Sequence, residues 1–305
     1  MPVDPHPGLQ ATLAPLLAPL LALLRQGPIT VLTGAGLSTG SGIPAYRDAQ
    51  GQWQHPPPTQ HQAFVRDAAV RQRYWARSFV GWQRFGQAAP NAGHAALAAL
   101  EAAGHIHTLI TQNVDGLHQR AGSARVIELH GSLGQVRCLG CQALWPRAQL
   151  QGWLSELNVH KLAADPAHGA EARTAPDGDA HLADDAHADF VVPACPACGG
   201  VLKPDVVFFG DNVPRERVAQ AAQAVADSAG LLVVGSSLMV YSGYRFAEQA
   251  HKLGKPLVSL NQGVTRADPI LSAKVEADCG EALAACVAAC ATALAATAGL
   301  KAPAG

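Results

Sequence analysis

Two cysteine pairs, Cys138-Leu139-Gly140-Cys141 and Cys195-Pro196-Ala197-Cys198, constrain this chain more than any other feature. Each pair sets two thiolates on one turn, and two such turns supply the closed, all-sulfur tetrahedron that Zn²⁺ prefers. The spacing predicts one structural Zn²⁺ held by Cys138, Cys141, Cys195 and Cys198, with no open position for catalysis. The metal fixes a small module, and the chemistry has to lie around it. Seven cysteines, four of them assigned to metal, fit a reducing compartment better than a disulfide framework. Cys286 and Cys290 lie four apart on an Ala-rich C-terminal stretch and read as small core residues.

Four short apolar runs rich in β-branched residues each end in a turn or a polar residue: Ile29 to Thr33, His107 to Thr111, Leu231 to Val234 and Leu257 to Leu260. Helical patterns lie between them, among them Asn91 to Ala103 and Pro214 to Ala229. Fully buried strands alternating with helices predict a doubly wound, Rossmann-like parallel α/β sheet, whose ligands bind beyond the carboxyl ends of the strands. With 305 residues and 49% hydrophobic content, the chain can bury one large core and a smaller one. The expected division is a nucleotide-binding domain from 1–44, 88–136 and 200–305, a helical insertion over 45–87, and the zinc module over 137–199. Residues 158–189, rich in Ala, His, Asp and Gly without periodicity, read as a long loop. Leu9 to Leu24 is apolar but interrupted by Pro15 and Pro19 and too short to span a bilayer, so it reads as a leading helix packed on the core. A net charge of −1 gives no electrostatic case for nucleic acid or an anionic membrane.

The strand ends carry the candidate chemistry. Gly34-Ala35-Gly36-Leu37-Ser38 follows the first strand, but Thr39 stands at the third position of a G-x-G-x-x-G, so the turn alone is a weak nucleotide signal. Its continuation, Ser41-Gly42-Ile43-Pro44-Ala45-Tyr46-Arg47, sharpens it: Arg47 can pair with a pyrophosphate, and Tyr46 can cover a reactive sugar face. Thr111-Gln112-Asn113-Val114-Asp115-Gly116-Leu117-His118 packs polar groups suited to ribose hydroxyls and an amide. In Glu128-Leu129-His130-Gly131-Ser132, His130 is either a base for a sugar hydroxyl or a structural hydrogen-bonding group.

Taken in order, GAGLSTGSGIPAYR, TQNVDGLH, ELHGS, CLGC with CPACGG, KPDVVFFGD, GSSL and LNQG resemble the sirtuin family of NAD-dependent protein deacylases, from about Leu24 to about Leu283. Arg71 to Arg77, Ala175 to Asp179 and Tyr241 to Phe246 resemble the class II branch, to which lipoamidase and ADP-ribosyltransferase activities are ascribed. The resemblance implies that Ala35, Gly36 and Arg47 hold the NAD diphosphate, with Ser236 and Ser237 adding hydroxyl donors, and that Gly34, Ser38 and Gly235 also belong to the cofactor site. Asn261 would bond the adenosine ribose, and the backbone near Cys279 would meet the adenine. Gln112 and Asn113 would fix the nicotinamide ribose, Asp115 and Ile43 the carboxamide, and Tyr46 would shield the reacting carbon. His130 would be the general base, with Asn113 and Asp115 completing the catalytic set. The products would be nicotinamide, free lysine and O-acyl-ADP-ribose. Val207, Phe209 and Gly210 would pair with an acyl-lysine protein backbone. Tyr74 and Arg77, three apart on one helix face, resemble the pair that grips acidic acyl groups; the other reading is a solvated Arg-rich face with Tyr74 and Trp75 packed beneath it.

Two positions depart from the family pattern: Ala45 stands where Asp is usual, implying tuned activity, and Asp211 where Glu is more frequent. The same NAD site would also serve mono-ADP-ribosyl transfer to a protein. A zinc-ribbon binding module is disfavoured because Arg137 and Arg147 alone make too small a basic patch. An NAD(H) oxidoreductase is disfavoured by the incomplete glycine fingerprint. The expected setting is a bacterial cytoplasm and the expected state a monomer.

Overall fold

The computed structural model describes residues 7–55, 58–159, 175–179 and 189–299. Most of the expected 158–189 loop, namely 160–174 and 180–188, lies outside them. The larger sheet is six-stranded and parallel. It is built from β1 (Ile29–Thr33), β2 (Ile106–Thr111), β3 (Val126–Glu128), β7 (Leu231–Val234), β8 (Leu257–Leu260) and β9 (Ala273–Val275) in the order 3-2-1-7-8-9. All five residues of β1 are buried, as a central parallel strand requires. The pleat sends Ile29 and Val31 to one helical layer and Leu32 to the other; Val234 and Val233 of β7 divide likewise. The first layer contains α1 (Pro7–Leu24), α5 (Ala92–Ala102) and α10 (Cys279–Gly299), contributing Leu20, Leu97 and Leu283. The second contains α8 (Arg215–Asp227) and α9 (Tyr241–Lys252), contributing Val225 and Phe246.

The leading helix runs through both prolines. Each proline removes one backbone hydrogen bond. Pro15 is exposed, where its freed carbonyl can meet water, and Leu17, Leu20, Leu23 and Leu24 are buried against the sheet. Cys286 is fully buried in the same layer. The edge strands β3 and β9 are three residues each, β3 partly buried throughout and β9 burying only Val275, so they carry no long apolar run.

The smaller sheet, β5-β4-β6, is antiparallel: β4 (Gly131–Cys138) pairs with β5 (Leu144–Pro146) and β6 (Leu202–Val206). It begins and ends outside 137–199, so both cysteine turns are anchored on one ladder. The helical insertion, α3 (His61–Arg66) and α4 (Ala68–Phe85), packs on this module. Phe64, Tyr74, Trp75 and Phe79 share a core with Val136, Leu202, Phe208 and with Leu150 and Leu154 of α7 (Arg147–Leu157). Trp75 Nε1 donates to the Leu202 carbonyl at 3.3 Å, so its one polar atom is satisfied. Asp67 starts α4 by accepting from Ala69 N at 2.8 Å. Insertion and zinc module are thus one packed body.

Candidate active site at the carboxyl edge of the parallel sheet

In the order 3-2-1-7-8-9, the strand order reverses between the parallel neighbours β1 and β7, and such a switch point is where a crevice forms beyond the strand ends. The loop after β1 begins at Gly34 and enters α2 (Ala35–Ser38); the loop after β7 is Gly235-Ser236-Ser237. They touch: Gly36 N donates to Gly235 O at 2.8 Å. Gly235 has φ +58°, and a Cβ there would stand 2.3 Å from Leu37 N, so only glycine closes this turn. A cavity of about 550 Å³ opens above. Every residue expected to bind cofactor or substrate lines it except Arg77.

The β2 end supplies a hydrogen-bonded floor. Gln112 Nε2 donates to Ser236 Oγ at 2.8 Å, and Asn113 Nδ2 to Gly34 O at 3.0 Å and Ser38 Oγ at 3.1 Å. Ser38 Oγ donates to Asp115 Oδ2 at 2.7 Å, while Asp115 Oδ1 accepts from Leu117 N at 2.9 Å, opening α6 (Leu117–Arg120). Each amide and carboxylate is therefore held before any ligand arrives. Cys279 heads α10, with Sγ 3.7 Å from the Leu260 carbonyl, and Asn261 Nδ2 donates to Gln262 O at 3.0 Å. Arg47 Nη1 donates to Gly51 O at 2.7 Å and its guanidinium lies 4.1 Å from the Trp53 ring centre. Tyr46 and Phe209 meet edge to face at 6.1 Å, making an aromatic wall.

His130 sits at the base of the cavity between two partners. Its Nδ1 is 2.9 Å from the Gln112 carbonyl, which can only accept, so Nδ1 carries the hydrogen. Nε2 is left with its lone pair and accepts from Ser242 Oγ at 2.8 Å. Burial pushes the imidazole down to about 4, helped by Arg217 and opposed by the Gln112 bond, so His130 is neutral at ordinary pH.

Beneath the floor lie two further histidines, their rings 4.9 Å apart. Thr33 Oγ1 spends its one hydrogen on Thr111 Oγ1 at 2.9 Å and so accepts from His118 Nε2, also at 2.9 Å. His118 Nδ1 is then a bare, buried acceptor with no partner among the described residues. His94 Nδ1 accepts from Asn91 N at 3.3 Å in the capping box of α5. Burial drives His118 down to about 3 and lowers His94 as well, Asp115 opposing the latter.

At the far end, Tyr74 is 2% exposed and packs edge to face on Phe64, with ring centres 5.3 Å apart. Burial, with Asp179 and Asp177 adding, raises its phenol, which stays a donor. Arg77 does not line the cavity: its Nη2 is bound to Asp179 Oδ2 at 2.8 Å. Asp177, on the same turn of chain, does line it. Burial and Asp177 push the Asp179 carboxyl up, with Arg77 opposing. Sequence reasoning assigned no site role to Asp177, Asp179 or Ser242. Their signal lay only in the Ala175–Asp179 and Tyr241–Phe246 stretches that carried the family resemblance.

The cysteines converge. The four sulfurs of Cys138, Cys141, Cys195 and Cys198 lie within 4.8 Å of one another, with Cys138 to Cys198 at 3.4 Å and Cys141 to Cys195 at 3.8 Å. Tetrahedral Zn–S bonds of about 2.3 Å imply sulfurs about 3.8 Å apart, so the donor set fits. Gly140 N and Gly200 N point at Cys138 and Cys198 sulfurs, at 3.3 and 3.4 Å, and favour the thiolates.

The Sir2 family model matches residues 34–242, about two thirds of the chain. The protein belongs to the Sir2 family. A relative from Xanthomonas campestris pv. campestris, named an NAD-dependent protein deacetylase, is 58% identical over 260 residues, covering 85% of this Sir2-family chain and 87% of its own. One from Streptomyces coelicolor, NAD-dependent protein deacetylase 1, is 49% identical over 267 residues, covering 88% and 87%. Among solved structures, a Sir2 with a p53 peptide and NAD⁺ superposes at a TM-score of 0.67, with 31% identity, over 88% of this chain and 95% of its own. A Sir2 bound to acetylated peptide gives 0.65, with 30% identity, over 87% and 94%.

Proposed function

We propose that this Sir2-family protein is an NAD-dependent protein-lysine deacylase that yields nicotinamide, free lysine and O-acyl-ADP-ribose. The observation that carries it is one cavity joining the glycine crevice of Gly34–Gly36 and Gly235 to a neutral, oriented His130. Bound NAD supplies an activated ribose carbon with nicotinamide as leaving group. Within the cavity, the Ala35–Gly36 turn, Ser237 and Arg47 hold the diphosphate, and Asn261 and the Cys279 backbone hold the adenosine. Gln112 and Asn113, already fixed, orient the inner ribose without reorganising. Asp115 and Ile43 hold the carboxamide. Tyr46 and Phe209 exclude water from the reacting centre. His130 is the base that takes up a proton released by a sugar hydroxyl, at Nε2, the ring nitrogen that carries no hydrogen. Residues 207–210 offer backbone to the substrate peptide; Val207 N and Phe209 O already bond His130 O and His61 N, at 2.8 and 2.9 Å, which fixes the rim. The four cysteines hold a structural Zn²⁺ that has no open position.

Because Asp179 already occupies Arg77, a substrate carboxylate reaching that guanidinium has to displace it. The acyl end therefore suits neutral acyl groups better than acidic ones. Among the described residues no helix is long and apolar enough to cross a membrane.

The test is mass spectrometry of reactions containing NAD and acetyl, butyryl, glutaryl, lipoyl and myristoyl peptides, beside a His130→Ala control. O-acyl-ADP-ribose formed by the native protein and absent with the variant supports deacylation. Nicotinamide release without that product refutes it in favour of ADP-ribosyl transfer or NAD hydrolysis.

A further inference from the structure

We propose that Ser242 is a proton relay between the substrate hydroxyl and His130, a role that rests on His130 being the base. Ser242 Oγ lies 2.8 Å from His130 Nε2. The Gln112 carbonyl claims the Nδ1 hydrogen, so the serine hydrogen has to point at Nε2. The oxygen lone pairs of Ser242, which is only partly buried and lines the cavity, are left free for a ligand. A ligand hydroxyl reaching Nε2 directly would first have to break this bond; one reaching Ser242 would not.

The step balances. The substrate O–H bond breaks as a new Oγ–H bond forms. The original Oγ–H bond breaks as Nε2–H forms. A substrate alkoxide, a neutral serine and an imidazolium result, with no further reactant.

The backbone is shaped for this contact. Ser242 lies in the first turn of α9, and the next residue, Gly243, meets the Gln112 side chain. A Cβ at Gly243 would stand 2.3 Å from Gln112 Oε1. Glycine thus lets the helix start press on the same residue whose carbonyl orients His130 from the other side. Gln112, His130 and Ser242 form one closed contact, and the imidazole cannot turn without breaking a bond at each nitrogen.

The experiment compares native protein with Ser242→Ala, Ser242→Thr and His130→Ala on NAD and an acetyl-lysine peptide. Single-turnover rates are measured in H₂O/D₂O mixtures, and ¹⁵N NMR of the His130 ring is recorded in the ligand-free protein. Ser242→Ala is expected to lower the rate about ten- to hundred-fold with both KM values held. It should turn a curved proton inventory linear and shift the Nε2 resonance towards that of an unbonded nitrogen. Ser242→Thr, which keeps the hydroxyl, should restore the rate to within about three-fold. An unchanged rate and inventory in Ser242→Ala beside an inactive His130→Ala overturns the relay and leaves the base standing. A lowered rate with an unchanged inventory also overturns the relay, because it reports support alone. Full activity in His130→Ala overturns the base and the relay with it.

Discussion

Acid should unfold this protein from beneath its active site, and His118 is where the effect can be measured. Its Nε2–H is given to Thr33, and its Nδ1 faces a buried space with no acceptor, so a second proton has nothing to bond. The folded pKa falls to about 3 for this reason, burial first and His94 second. In the unfolded chain it returns to about 6.5. Between those values the unfolded chain holds a proton that the folded chain does not, so stability falls as pH falls below about 6.5 and levels off near 3. At pH 5 the loss from this one residue is about 2 kcal/mol, since each unit below 6.5 costs about 1.4 kcal/mol. The comparison is urea unfolding, followed by far-UV circular dichroism, of native protein and His118→Gln at pH 7.5, 6 and 5. Glutamine keeps a donor for Thr33 and removes the titration, while zinc ligands and His130 contribute equally to both proteins. The native protein should lose about 2 kcal/mol more than the variant between pH 7.5 and pH 5. Parallel curves would refute the buried neutral imidazole.

Four further outcomes follow from the geometry. If His130 titrates near 4, the acid limb of kcat/KM should fall there and not near 6.5, measured with a peptide that does not titrate in that range. Arg77→Leu should destabilise by about 2–3 kcal/mol in thermal unfolding, below the 3–5 of a fully buried pair because Arg77 is 34% exposed, and adding Asp179→Asn should recover part of it. Asp179→Ala, which frees the guanidinium, should raise glutaryl-peptide turnover relative to acetyl, and an unchanged ratio would count against the pair as the end of the acyl channel. Removing zinc with a chelator should weaken peptide binding more than ADP-ribose binding, read by calorimetry, because Tyr74 and Phe208 of the zinc body line the cavity.

The central strands were legible because burial on both faces leaves an unbroken apolar run, and β1, β7 and β8 have their expected residues, with β2 one residue longer. The short strands β3 and β9 were not, since three edge residues are too few to carry a periodic signature. The cysteine turns were legible from local spacing, and the structure gathers their sulfurs. The ladder that joins them was not, because β4 meets β6 across more than sixty residues of chain. The strand-end residues that line the cavity were legible through their motifs. Asp179 on Arg77 and Ser242 on His130 are contacts between distant segments, and nothing in either segment's own pattern announces the partner.

The shared core of the helical insertion and the zinc module separates the cavity into two materials. Its nucleotide end stands on a parallel sheet that needs no metal. Its far end stands on aromatic side chains that share a core with Cys138 and Cys195 of the four-cysteine cluster. Mutations in the insertion would therefore reshape the far end of the cavity while the glycine crevice keeps its form. Metal starvation would reach the far end of the cavity before it reached the nucleotide crevice, and the damaged protein would still occupy its share of the nucleotide supply.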